Sequence, residues 1–257
     1  MHILWVGPLV PADKVQDYPG ISPAANKWQL GLIKGMEEAG AKVTVASHVP
    51  YRTWPYGPMR ISGGENAINR NHHAQASYWN ILPIREWSLG KGYKTTVPKL
   101  LDCRIPDAIM SYNLSSHDAS IFRWASLQWN AIQIPVIADL PTEDADAFDR
   151  FRRNVSDYDG LVCLSWKAAQ ESWVPHPLHL DGGVDHFRKI PADSSKGNRI
   201  LFYAGALNHW TGIDQLLDAF ALLPDNNLAL WICGRGTDKG VTRAAEKDPR
   251  IIYYGQV

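Results

Sequence analysis

The chain has 257 residues, with 26 lysines and arginines against 26 aspartates and glutamates, so its formal net charge is zero and no long-range field recommends a nucleic-acid partner. Hydrophobic content of 45% with charged content of 20% is ordinary for a soluble globular protein, and no run of 18 apolar residues offers a membrane span. The length holds one large domain or two small ones. The start, Met1 to Val6, is too short for a signal-peptide core and has no basic residues before it. Cys103, Cys163 and Cys233 are an odd count, and two of them sit in predicted core strands, which fits a reducing cytoplasm.

Ile3 to Val6 reads as the first strand, ended by Gly7-Pro8, and a proline- and glycine-rich loop runs to Ser22. Ser22 is an N-cap with Pro23 at the first helical position; Ala25, Trp28, Leu32, Ile33 and Met36 form the apolar stripe, and Gly40 suits the C′ position. Lys42 to Ser47 alternates as a second strand. This βαβ opening lacks G-x-G-x-x-G: the residues after the strand are Gly7-Pro8-Leu9-Val10-Pro11, and prolines remove donors that a pyrophosphate needs. A nicotinamide or flavin dinucleotide site is not expected there.

From His48 to Gly92 the periodicity weakens, and aromatic residues such as Trp54, Tyr56, Trp79 and Trp87 alternate with prolines, as in a loop-rich surface excursion. His72-His73 reads as a solvent-exposed pair, since adjacent side chains diverge too far for most two-histidine metal sites. Asp107 to Tyr112 is another strand, and Ser115 or Ser116 caps the helix that follows. Asn113 and His117 stand at the carboxyl end of that strand, where a parallel sheet places ligands, with a capping role as the alternative. Pro135 to Leu140 is the next strand. Asp144-Ala145-Asp146 spells D-x-D but opens a helix whose last turn carries Arg150, Arg152 and Arg153, an order that the helix dipole favours. Gly160 to Leu164 is the last strand of the first domain, and Ser165 caps a short helix ending near Trp173. His176, His179 and His186 are too irregularly spaced for a metal site. Residues 187 to 198 have linker composition. Eleven tryptophans are divided between core packing with an amphipathic rim and stacking on sugar C–H faces.

The last stretch is the most informative. Ile200 to Ala204 reads as a strand buried on both faces, broken by Gly205. After Gly212, Ile213, Leu216, Leu217 and Phe220 lie on one face of a helix, and a second apolar run, Leu228 to Cys233, ends at Gly234-Arg235-Gly236. In such a βαβ unit both glycine turns fall at the carboxyl ends of parallel strands, where helix N–H groups favour an anion.

Tyr203-Ala204-Gly205, Gly212-Ile213, Leu216-Leu217, Ala219-Phe220 and Leu230 to Gly236, followed by Asp248-Pro249-Arg250-Ile251 and Gly255, resemble the donor-binding half of family 4 glycosyltransferases. Upstream, Cys163-Leu164-Ser165 and Gly182-Gly183-Val184-Asp185 resemble that family's entry to its interdomain linker. The resemblance implies an α/β chain of two Rossmann-like domains of GT-B type with a deep interdomain cleft. It puts an acceptor-side domain at 1–186, the linker at 187–198 and a partial donor-binding domain at 199–257. The implied activity is transfer of a sugar from a nucleotide-diphosphate donor to a saccharide or lipid-linked acceptor with retention of configuration, without a cofactor or an obligatory metal. Donor-binding residues would be Gly20, Gly205, Asn208, Thr211, Gly212, Gly234, Arg235 and Gly236, and the 48–92 segment would face the acceptor.

Three departures from the family pattern stand out. Asp139 occupies roughly the place of a histidine that contacts the transferred sugar, which makes it the candidate catalytic residue here. Ala206 and Thr211 replace an arginine and a lysine that bind the diphosphate, leaving Asn208, His209, Thr211 and helix N–H groups as donors. The chain ends at Val257, before the family's acidic motif for donor ribose and sugar, so an incomplete second domain with exposed edges, open to self-association, is expected. A cytoplasmic enzyme in peripheral contact with a membrane is the implied setting. A nucleotide-sugar 2-epimerase of the same fold and a non-catalytic donor-binding fragment are the alternatives.

Overall fold

The first strand, β1 (His2–Pro8), alternates Ile3 and Trp5 toward one face and Leu4 and Val6 toward the other, and all four are buried. It leads through α1 (Pro23–Glu38) to β2 (Lys42–His48). Short strands β3 (Arg60–Ile61), β4 (His73–Gln75) and β5 (Tyr78–Trp79) precede α2 (Arg85–Leu101). Then come β6 (Ala108–Tyr112), α3 (Ser116–Trp129), β7 (Ile132–Ile137), α4 (Ala145–Val155), β8 (Leu161–Cys163), α5 (Trp166–Ala169) and β9 (Pro177–His179). Seven of these strands make one parallel sheet in the order β4-β2-β1-β6-β7-β8-β9, while β3 and β5 form a separate antiparallel pair. The computed structural model describes residues 1–257 apart from 19, 65–72, 114–115, 141–144, 172, 174, 183–198, 237–238 and 257. The chain divides into two units, Met1–Phe187 and Arg188–Val257. The expected linker, 187–198, lies outside the described residues.

Helix α1 packs Trp28, Leu32, Ile33 and Met36 against Ile3, Trp5 and Val45; α2 and α3 cover the other face through Tyr93, Val97, Phe122 and Ala125. Ser22 caps α1 by accepting from the Ala25 N–H at 3.3 Å. The helix closes in a Schellman motif: Gly40, at φ +88°, donates to Glu37 and Ala41 donates to Met36.

Several expectations need correction. Residues 85–101 are a helix, obscured in the sequence by Gly90, Gly92 and Pro98. Gly92 belongs there because a Cβ would meet the Ser77 carbonyl at 2.2 Å, so the glycine lets α2 press against the chain leading into β5. His73 is buried, with Nε2 2.6 Å from Ser47 Oγ, whereas His72 is outside the described residues. The strand expected over Pro135–Leu140 is β7, three residues earlier; Pro135 is tolerated because pairing with β8 begins only at Val136. The helix capped by Ser165 ends at Ala169, and β9 follows it.

The second unit contains β10 (Arg199–Ala204), α6 (Ile213–Ala221), β11 (Leu228–Cys233), α7 (Lys239–Lys247) and β12 (Ile251–Tyr253). Its parallel sheet has the order β10-β11-β12. Helices α6 and α7 bury Leu230, Ile232 and Ile251 with Ile213, Phe220 and Val241. The register places Ile200, Phe202, Trp231 and Ile252 on the opposite face. Phe202 there is 63% exposed, so β10 is not the strand buried on both faces that its apolar run suggests. It is an edge strand whose outer face carries no helix among the described residues.

Arg250 fixes the connection between α6 and β11. Its guanidinium donates to the carbonyls of Leu223 at 2.6 Å and Asp225 at 3.1 Å, pairs with Asp248 at 2.7 Å, and lies 4.7 Å from the centre of the Phe220 ring. The hydrogen bond from Arg250 holds the Asp248 carboxyl below its ordinary range. A depressed carboxyl pKa stabilises the fold above the unfolded value and ceases to do so as the pH falls through the folded value. Stability of the second unit should therefore decline below about pH 4, and Arg250→Gln should lower it at neutral pH while flattening this acid dependence. Urea midpoints measured across pH for both proteins check this; equal acid slopes would refute it.

Candidate functional site

In the second unit, the parallel ladder does not stop where β10 and β11 end. Gly205 donates to Cys233 at 3.1 Å, Leu207 donates to Arg235 at 3.1 Å, and Gly234 donates to Gly255 at 2.8 Å. Gly205, Gly234 and Gly236 thus lie together at the carboxyl ends of their strands. Close approach accounts for two of the three: a Cβ on Gly234 would stand 1.8 Å from the Gly205 carbonyl oxygen, and one on Gly236 would stand 2.5 Å from that of Leu207. Two tyrosines brace the turns, with Tyr203 Oη donating to the Ala206 carbonyl at 2.7 Å and Tyr253 Oη donating to that of Gly234 at 3.1 Å.

Gly212, at φ +77°, is the residue before α6, and no side chain caps the helix. The first-turn N–H groups of α6 therefore have no intrahelical partner, an arrangement that can accept an anion. Asp214 stands in that first turn, near Gly240 of α7. Thr211 does not supply a spare donor: its hydroxyl lies 2.9 Å from the Ala206 carbonyl and 2.6 Å from that of Asn208, and its N–H donates to Asn208. Asn208 gives its own N–H to Thr211 Oγ1 at 3.4 Å. These two residues shape the turn, and Arg235, whose carbonyl accepts from the Leu207 N–H, is an exposed cation between the glycines.

In the first unit, two residues singled out separately come together. Asn113 adopts φ +47° just past β6 and continues the ladder to β7 with its side chain. Its Oδ1 accepts from Ala138 at 2.7 Å and Asp139 at 3.4 Å, and its Nδ2 donates to Asp139 Oδ2 at 3.2 Å. Asn113 therefore caps a strand end and orients the exposed Asp139 carboxylate. Burial, reinforced by the Asp139 charge, raises the Tyr112 phenol beside it. His117 is in the first turn of α3, with its side chain outside the described residues.

The loop after β1 is built into the core through side chains that hydropathy does not flag. Asn26, 1% exposed, accepts from the Val10 N–H at 3.0 Å and donates to its carbonyl at 2.9 Å. Gln29 accepts from Trp5 Nε1 at 3.2 Å. Gly20 has a packing reason, since a Cβ would meet the Pro50 carbonyl at 2.1 Å. Of the D-x-D, Asp144 is outside the described residues and Asp146 opens α4. Among the described residues no His, Cys, Asp or Glu cluster could hold a metal ion.

No family model and no curated protein sequence matches the chain. Solved structures do. The lipopolysaccharide outer core galactosyltransferase WaaB, in its apo form, superposes with a TM-score of 0.64 at 14% identity, covering 100% of this chain and 68% of that one. HepE of Anabaena, solved with UDP and glucose, gives 0.61 at 14% identity over 100% and 70%. MurG of Acinetobacter baumannii gives 0.54 at 11% identity over 99% and 65%. These likenesses show the fold: α/β, of the GT-B glycosyltransferase type.

The geometry separates two kinds of glycine. Gly234→Ala has no room for its methyl group and should leave the second unit unfolded. Gly212→Ala meets nothing nearer than Gln215 Oε1 at 3.9 Å and only a left-handed backbone, at a cost of about 1–2 kcal/mol. Circular dichroism melts of both variants check the contrast, and a Gly234→Ala protein as stable as Gly212→Ala would contradict the close approach.

Proposed function

We propose that the chain is a retaining glycosyltransferase of the family 4 kind, taking a sugar from a nucleotide-diphosphate donor to a saccharide or lipid-linked acceptor. The observation that carries this reading is the rigid, glycine-lined carboxyl end of β10 and β11, with the uncapped start of α6 and the exposed Arg235 beside it. Backbone N–H groups fixed in advance stabilise a departing diphosphate without reorganising when the bond breaks. Arg235 adds the charge that the neutral turn at 206–211 lacks. In the first unit, Asp139, oriented by Asn113, is the group that would meet a sugar hydroxyl. The solved relatives lend support, since HepE carries UDP and glucose and the pneumococcal O-GlcNAc transferase GtfA carries UDP and GlcNAc.

Turnover is read as nucleotide released from UDP-sugars, with and without saccharide acceptors, and the product anomer is assigned by NMR. Arg235→Ala should lower kcat/KM about 10- to 100-fold, the worth of one charge-assisted hydrogen bond of roughly 1.5–3 kcal/mol. Asp139→Asn should reduce kcat with donor binding intact. Unchanged kinetics in both variants would remove these residues from the reaction, and inversion of the anomer would remove the family 4 assignment.

A further inference from the structure

Helices α6 and α7 bury one side against the second sheet, and their outer sides carry a pattern that the glycine turns do not use. Asp214, Leu217, Asp218 and Ala221 recur at i, i+3, i+4 and i+7 along α6. Gly240, Arg243, Ala244 and Lys247 recur at the same spacing along α7. Each set therefore lies along one face of its helix. Because β10, β11 and β12 are parallel, the two helices run side by side in one direction, and Gly240 at the start of α7 stands beside the Asp214 side chain at the start of α6. Together the two faces line a groove of about 400 Å³. It follows two helical turns, roughly 10 Å.

The floor of the groove is small and apolar: Leu217 and Ala244 are half-buried, while Ala221 and Gly240 lie open. Charge is divided by helix, with Asp214 and Asp218 on the α6 bank and Arg243 and Lys247 on the α7 bank. All four are exposed, and among the described residues none of them makes an ion pair. Asp248, also at the groove, is already paired with Arg250. The helix dipole accounts for Asp214 and Lys247, which stand in a first and a last turn, but not for Asp218 and Arg243 in mid-helix. An acidic bank and a basic bank thus face each other across an apolar floor without neutralising one another.

We propose that this groove receives an amphipathic α-helix of a protein partner. That helix has an apolar stripe, with lysine or arginine along the edge that meets α6 and aspartate or glutamate along the edge that meets α7. Recognition of a helix in a groove uses anchors at i, i+3, i+4 and i+7, and the missing side chains at Ala221, Gly240 and Ala244 leave the space those anchors fill. Charged banks select the partner and its direction more than they add affinity. The same geometry argues against a second copy of this chain. A two-fold axis that sets acids over bases stacks α6 of one copy on α7 of the other and leaves the grooves between them unfilled. This inference does not rest on the proposed transferase activity, because the groove lies on the helices and docking needs no donor.

Fluorescence anisotropy of synthetic stapled helices, titrated with the full chain, tests it. One helix carries leucine at i, i+3, i+4 and i+7, with lysine along one edge and glutamate along the other. Two controls keep the leucines and have lysine, or glutamate, along both edges. The mixed helix should bind about tenfold more tightly than either control. Asp214→Asn with Asp218→Lys should move the preference to the glutamate-edged helix, and Arg243→Glu with Lys247→Gln should move it to the lysine-edged one. Ala221→Trp fills the groove and should weaken all three by about tenfold or more. The substituted side chains are exposed, and melting temperatures close to that of the unaltered chain confirm that the variants fold. No binding, equal binding of the three helices, or a preference that neither charge variant moves would overturn the proposal. So would a dimer in analytical ultracentrifugation that Ala221→Trp dissociates, since the groove would then belong to a second copy.

Discussion

The second unit depends on one backbone approach. Beyond β10 and β11 the two chains continue side by side, so close at Gly234 that any side chain atom there would overlap the Gly205 carbonyl. That contact continues the parallel register past the strands, seats the fully buried Leu207 beneath the turn and leaves α6 starting just after Gly212. The hydroxyls of Tyr203 and Tyr253 hold turn carbonyls, and Thr211 closes the 206–211 segment on itself. A turn so constrained presents its amides in one arrangement, and preorganisation is what makes neutral donors effective toward an anion.

Much of this was legible in the residues. Short apolar runs ending in glycine, with a helical stripe between them, read as a βαβ unit because short glycine-bounded runs suit strands while an i, i+3, i+4, i+7 stripe suits a helix. The reason for the glycines was not legible, since a turn that needs left-handed backbone and a turn that needs a missing Cβ are spelled alike. Gly212 is the first kind and Gly234 the second. Nor does an apolar run say how many of its faces are covered: Phe202 belongs to an edge strand that, among the described residues, has helices on one side only.

In the first unit the legible parts were the strands flanking β1 and the capped helix α1. Helix α2 was hidden because Gly90, Gly92 and Pro98 read as breakers, although Gly92 is a packing site against Ser77. Asn26 and Gln29 interrupt the hydrophobic stripe of α1, and only the fold shows that their amides satisfy Val10 and Trp5. Asn113 and Asp139 are 26 residues apart and were singled out for different reasons; adjacent parallel strands bring them into one hydrogen-bonded pair. Long-range polar pairs of this sort leave no periodic trace in a sequence.

In the proposed reaction the glycine-lined end of β10 and β11 receives the donor diphosphate. Hydrogen exchange of the intact chain with and without UDP tests it most directly, because the amides of both turns and of the start of α6 can be followed together. Slowed exchange over residues 205–216 and 234–236 is expected on saturation, lost in Arg235→Ala at the same UDP concentration. Binding of UDP that leaves those amides unchanged, or that protects a segment elsewhere, would contradict it.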